Sequence, residues 1–457
     1  LKTALILVSV FCSAPLWAAQ WFALALPTQA NGDWLQAGPI LYLAGQDKGQ
    51  KQLSAVDTAH WQVRSIALPN NTDRFCAMDD GRLLLFAKDN VYLHQDLQTL
   101  LIGQAPSLWR GVVPKYLSKV SWCHGNRLFI PGFSALRVYR IKQNQLVLES
   151  EVPVTAFMSL RMGAPYYQEK AIHLVDVNLD KVPDLLVEGD NGLVVYLGQG
   201  RGFAKTPIVF APGLKLTPLA KRTLRLNDGE DFSKLRVRTL EAVTDLNGDG
   251  LKDIIISSLH SKGLLDRSQR FEVHFGIKIA NGLGYRVAPD TGFESEGVVF
   301  ELRQQDLNGD GSLDLYTPAV KLGVGKVISA LLTGSVSVDL DIRLLAGGKL
   351  HALATGIDSD MEVSLSSGEF RVPLMAAFKL DGSHFIAVKK DQNHLALYRL
   401  IADKLKHQQT LSIPLPVDGS RWQQGPNWLA ILPGPQDKQQ NQLYVVAKQR
   451  PALKPLP

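Results

Sequence analysis

Short apolar runs, alternating or continuous and separated by polar turns, recur along most of this chain. Runs of this length bounded by turn residues predict β-strands, and their pairing predicts hairpins. Leu83 to Ala87 and Val91 to His94 flank a Lys88-Asp89-Asn90 turn. Leu128 to Ile130 is followed by Leu136 to Ile141, and Phe385 to Val388 by Leu395 to Leu400 across Asp391-Gln392-Asn393. Trp428 to Leu432 pairs with Leu443 to Ala447, and an early unit spans Ile40 to Val56. Between Gly334 and Phe370, the alternation Val336, Val338, Leu340, Ile342 predicts extra strands inserted near 334–370. Convincing helical periodicity is missing beyond the first twenty residues. The chain therefore reads as all-β.

Three of these strand pairs are preceded by one acidic pattern. Asp176-Val-Asn178-Leu-Asp180-Lys-Val182-Pro-Asp184 leads into Leu185 to Val187, and Gly192 to Leu197 follows. Asp245-Leu-Asn247-Gly-Asp249-Gly-Leu251-Lys-Asp253 leads into Ile254 to Ile256, with Phe271 to Phe275 beyond a longer loop. Asp306-Leu-Asn308-Gly-Asp310-Gly-Ser312-Leu-Asp314 leads into Leu315 and Tyr316. A spacing of sixty to seventy residues between copies marks a supersecondary repeat. An all-β chain built from repeated small sheets avoids exposed edges by radial closure. Seven blades, with the first and last strand pairs sharing one blade, is the expected β-propeller. Eight blades is the alternative, and a two-domain β arrangement is the third possibility.

The spacing of the acidic loops also points to chemistry. Asp at position one, Asn at three and Asp at five place oxygen donors on one side of a tight loop. A main-chain carbonyl at position seven (Val182, Leu251, Ser312) and Asp at nine complete the set. Oxygen donors alone suit Ca²⁺, while the absence of nitrogen and sulfur donors disfavours zinc. Gly250 and Gly311 stand at position six, where positive φ lets the loop turn. A Ca²⁺-binding helix–loop–helix would need Glu at position twelve and a following helix. Here Val187, Ile256 and Thr317 stand there, and strands follow. Two Ca²⁺ sites are expected at the Gly-bearing loops. A weaker third is expected at Asp176–Asp184, where Leu179 and Lys181 replace both glycines.

These loops, with Tyr196-Leu197-Gly198-Gln199-Gly200-Arg201-Gly202-Phe203 downstream, resemble the FG-GAP or VCBS repeats of the integrin-α-type β-propeller. The resemblance covers about residues 170–320 and implies Ca²⁺ as structural cement, with binding by loops at a propeller face. It implies no catalytic residue.

Composition narrows the remaining choices. The 457 residues are 46% hydrophobic and 20% charged, which excludes wholesale disorder. A net charge of +6 arises from 49 basic and 43 acidic residues without long like-charge runs, so nucleic-acid binding is not expected. Lys2, the apolar stretch from Ala4 to Trp17 and Ala18-Ala19 have the layout of an export signal over residues 1–19. The expected mature chain, residues 20–457, has no transmembrane segment and is a periplasmic or extracellular monomer. It keeps Cys76 and Cys123, which can form one disulfide or remain two thiols. The ten histidines form no metal or catalytic motif. The functional expectation is thus a non-catalytic binding or scaffold module for a protein or polysaccharide partner. A polysaccharide lyase is the enzymatic alternative.

Overall fold

The computed structural model describes residues 18–95, 98–106, 121–161, 164–168, 170–189, 192–218, 236–261, 267–320, 333–364, 369–417, 419, 421–433 and 441–448. Most of the expected export signal lies outside them. Ala19, the last residue of that segment, is described and buried, and its N–H and C=O both bond the Gln409 side chain at 2.9 and 3.0 Å.

Among the described residues, eight antiparallel sheets of four or more strands follow one another along the chain, with three two-stranded hairpins beside them. Their first strands are Gln29–Ala37, Thr72–Ala77, Trp122–His124, Ile172–Val175, Arg236–Thr244, Arg303–Gln305, Met375–Leu380 and Trp422–Gly425, which open blades 1 to 8. Seven sheets have four strands. The sixth has seven, because short strands extend it. Blade 8 is completed by Gln20–Ala25, which pairs antiparallel with Gln442–Ala447 and so ties the start of the described chain to its end. First strands of different blades meet: Gln305 and Gln424 exchange side-chain amide bonds at 3.0 and 2.9 Å, and Gln423 reaches Gln36 at 2.6 Å. The first strands of blades 1, 6 and 8 therefore meet at the axis.

Each pair of neighbouring blades encloses its own apolar core, and eight such cores close the ring. Phe22, Leu24, Leu41, Leu43, Trp428 and Val445 fill the one that joins blade 8 to blade 1. The alternation along each strand explains this arrangement. Successive side chains point to opposite faces, and a blade packed between two others is apolar on both.

The β-propeller holds, but it has eight blades instead of the expected seven. Blade length varies, from the short step between Gln29 and Thr72 to the long one between Arg303 and Met375. The acidic repeats sit in the long blades 4, 5 and 6, so their spacing overstates the size of the others. The strands expected near 334–370 are present, although Ser335–Ala346 is the third strand of blade 6 itself. Lys349–Leu353, Asp358–Ser364 and Glu369–Arg371 lie beyond it and supply the fourth strand and two additions, and Val298–Val299 is a further addition beside Arg303–Gln305. Cys76 of blade 2 and Cys123 of blade 3 form a disulfide.

Candidate functional site

Each acidic loop joins the first and second strands of its blade; the second and third share one hydrogen-bond pattern, and the first differs from it at one donor. Asp245 accepts the N–H groups of Gly248 at 2.8 Å and Gly250 at 2.9 Å. Asn247 Oδ1 accepts the Asp249 N–H at 3.0 Å, and Asp249 accepts the Leu251 N–H at 2.8 Å. Asp306, Asn308 and Asp310 repeat the pattern with Gly309, Gly311, Asp310 and Ser312 as donors. In the first loop Asp176 accepts from Asp180 and Lys181, Asn178 from Asp180, and Asp180 from Val182. Positions four and six adopt positive φ throughout. Glycines fill them in the second and third loops, but Leu179 at 59° and Lys181 at 70° do so in the first. A side chain in that region costs about 1 kcal/mol or more per residue.

Position nine behaves differently from the other carboxylates. Asp184, Asp253 and Asp314 are fully buried. One oxygen of each accepts the N–H of position two in its own loop: Val177 at 2.8 Å, Leu246 at 2.7 Å and Leu307 at 2.9 Å. The other oxygen accepts an N–H following the blade's third strand or at its end: Gly198 at 2.6 Å, Gly276 at 2.8 Å and Leu345 at 2.8 Å. Burial pushes the Asp253 and Asp314 carboxyls up to about 6, helped by the charges of Asp249 and Asp245 and of Asp310 and Asp306. Burial raises Asp184 as well.

The loops also connect blades. Val177 C=O accepts the Leu283 N–H of blade 5, and Leu246 C=O accepts the Leu313 N–H of blade 6, both at 2.7 Å. His384 of blade 7 bonds the Asp306 carbonyl through Nδ1. In return, the excursions after the third strands reach back: Phe203 N–H bonds Ser150 of blade 3, and Lys349 bonds the Asp290 carbonyl of blade 5.

The structure thus brings positions one, three and five of each loop together, exposed or half-buried at the loop surface, while position nine is turned into the blade. Among the described residues, no three His, Cys, Asp or Glu side chains converge as a ready-made cage. Equally, among the described residues no ion pair involves Asp176, Asp180, Asp245, Asp249, Asp306 or Asp310. Among the described residues, their negative charge is not met by an ion-paired cation. Sequence reasoning missed the partners of position nine. The structure accounts for the glycines at two of them: a Cβ at Gly198 would stand 2.5 Å from the Pro183 carbonyl and one at Gly276 2.7 Å from that of Lys252. Both carbonyls belong to position eight of a loop.

No protein-family model matches the chain. The T-cell immunomodulatory protein homolog of Plasmodium yoelii yoelii is 24% identical over 151 residues, 32% of this chain and 19% of that protein. The match thus spans about a fifth of the relative's length. Apo AztD from Citrobacter koseri has a TM-score of 0.38 and 10% identity, covering 87% of this chain and 96% of its own. A chain of a mitotic checkpoint complex has a TM-score of 0.37 and 10% identity, covering 98% and 100%. Likenesses at that level bear on nothing further.

Proposed function

We propose that this chain is an exported, calcium-stabilised β-propeller of the FG-GAP or VCBS kind. It acts as a non-catalytic binding or scaffold module for a protein or polysaccharide partner. The observation that carries the reading is the uncompensated acidity of three loops in consecutive blades, each built only from oxygen donors. Ca²⁺ favours such donor sets. Asp245, Asn247, Asp249 and the Leu251 carbonyl would hold the ion in the second loop, with Asp253 behind them. Asp306, Asn308, Asp310, Ser312 and Asp314 would do so in the third. The first loop offers the same set through Asp176, Asn178, Asp180, Val182 and Asp184, beside the Lys181 charge.

The bound ion would supply positive charge beside the loop carboxylates. The chain's own residues do the rest. Carbonyls at positions one and two carry each loop onto the next blade, so ordering a loop orders a blade interface. Loops held in one arrangement lose less entropy when a partner docks. The Plasmodium relative is named as a T-cell immunomodulatory protein homolog, and the match covers about a fifth of it.

Thermal unfolding in chelator and in millimolar Ca²⁺ tests the reading. With a Kd of about 10⁻⁴–10⁻³ M and tenfold excess ion, each site adds about 1.4 kcal/mol. Asp249→Ala and Asp310→Ala should each remove one such increment and leave the melt in chelator nearly unchanged. A melt indifferent to Ca²⁺ would remove the calcium part of the proposal.

A further inference from the structure

The cleft between blades 3 and 4 holds a cavity of about 290 Å³ whose two sides differ in chemistry. Arg127, Arg140 and His124 of blade 3 contribute cationic and donor groups, while Phe129, Leu174 and Pro183 are apolar. Arg127 and Arg140 stand directly opposite each other on paired strands. Like charges so placed repel and need a counter-ion. Glu149 supplies one. It is the extra residue of a β-bulge, between Leu148, which pairs with Tyr139, and Ser150, which pairs with Val138. Its carboxylate meets Arg127 Nε at 2.7 Å and Arg140 Nη2 at 2.9 Å.

One carboxylate against two guanidinium groups leaves a net positive charge in the cleft. The Arg140 Nε–H is buried and has no acceptor, a state that costs free energy until something accepts it. The planar fork of Arg matches a carboxylate in two-point geometry. A cavity at the lower end of ligand-site volumes suits a small molecule, and its apolar side suits a flat, apolar body.

We propose that the cavity between blades 3 and 4 binds a carboxylate carried on a small, flat apolar body through Arg127 and Arg140. The proposal goes beyond the binding-module reading by naming a small-ligand chemistry, and the cavity borders the first acidic loop through Pro183. Calorimetric titration of the full chain with benzoate, in both chelator and Ca²⁺, is the test. Saturable binding of benzoate is expected, with benzamide (the same shape without the charge) at least tenfold weaker. Acetate should bind more weakly than benzoate, for want of the apolar body.

Arg140→Gln should weaken benzoate binding at least tenfold, and Arg140→Lys, which keeps the charge but loses the fork, by an intermediate factor. If Arg140→Gln fails to fold, Arg140→Lys and the benzoate–benzamide comparison on the parent chain still decide. No saturation by benzoate, equal binding of benzamide, equal binding of sulfate, or undiminished binding by both Arg140 variants would each overturn the proposal. If benzoate fails while the calcium-dependent melt persists, this inference falls and the calcium-stabilised module stands.

Discussion

Asp253→Ala separates the structural role of position nine from any role in holding a metal. The substitution removes the acceptor of two interior N–H groups, those of Leu246 at 2.7 Å and Gly276 at 2.8 Å, from a side chain with no solvent exposure. Leaving a buried donor unsatisfied costs about 1–3 kcal/mol, so two should cost at least about 2 kcal/mol even in chelator. The cost should also depend on pH. With the native carboxyl pushed up to about 6, from 3.8, the folded state holds the proton over an interval where the unfolded chain has released it. That contribution is full below the unfolded value and is lost as pH rises through the folded one. The parent therefore gains on Asp253→Ala by about 1 kcal/mol between pH 7.5 and pH 5.5. Urea unfolding in chelator at the two pH values measures both terms. Hydrogen exchange at Leu246 and Gly276 reads the lost bonds directly, with an acceleration of about 30-fold for 2 kcal/mol. Parent-like exchange at both amides, together with an unmoved urea midpoint, would refute the reasoning.

Three further outcomes are expected. Lys181→Gly removes a side chain held at a φ of 70° and a positive charge beside three carboxylates. It should raise stability by about 0.5–1 kcal/mol and tighten Ca²⁺ binding at the first loop, both checked by calorimetry. Gly198→Ala places a Cβ 2.5 Å from the Pro183 carbonyl, so it should cost about 1–3 kcal/mol in urea unfolding; a neutral result would mean that this close approach relaxes freely. Cys76→Ser opens a disulfide with a sequence separation of 47, which on the chain-entropy model costs about 4 kcal/mol. Comparison of its melt with that of the parent under non-reducing conditions measures this.

The strand inventory and the repeat were legible in the sequence because both are local. A strand buried between two others must be apolar on both faces, and Leu83–Ala87, Asp314–Val320 and Gln442–Ala447 carry that signature in their own residues. The acidic loops were legible for the same reason: their turns are set by Asp, Asn and Gly over nine positions, and the bonds accepted by positions one, three and five span five residues or fewer. The disulfide was open in the sequence, since spacing alone does not bring two cysteines together.

What the sequence left open depended on distance. Blade number is decided by how many sheets fill a closed ring, and the long acidic blades biased any estimate taken from their spacing. The role of position nine needed the tertiary structure, because its second partner lies fourteen residues on at Gly198, twenty-three at Gly276 and thirty-one at Leu345. No fixed spacing encodes that lock; only the antiparallel pairing of second and third strands brings the amide to the carboxylate. The Arg127–Arg140–Glu149 cluster was invisible for a similar reason, since a cross-strand pair and a bulge place three separated charges around one cleft. The sequence alone determined which segments would be strands and where oxygen donors would gather. Ring closure and sheet pairing decided which of those donors face solvent and which are spent inside the blades, because burial and hydrogen-bond partners are properties of the packed chain.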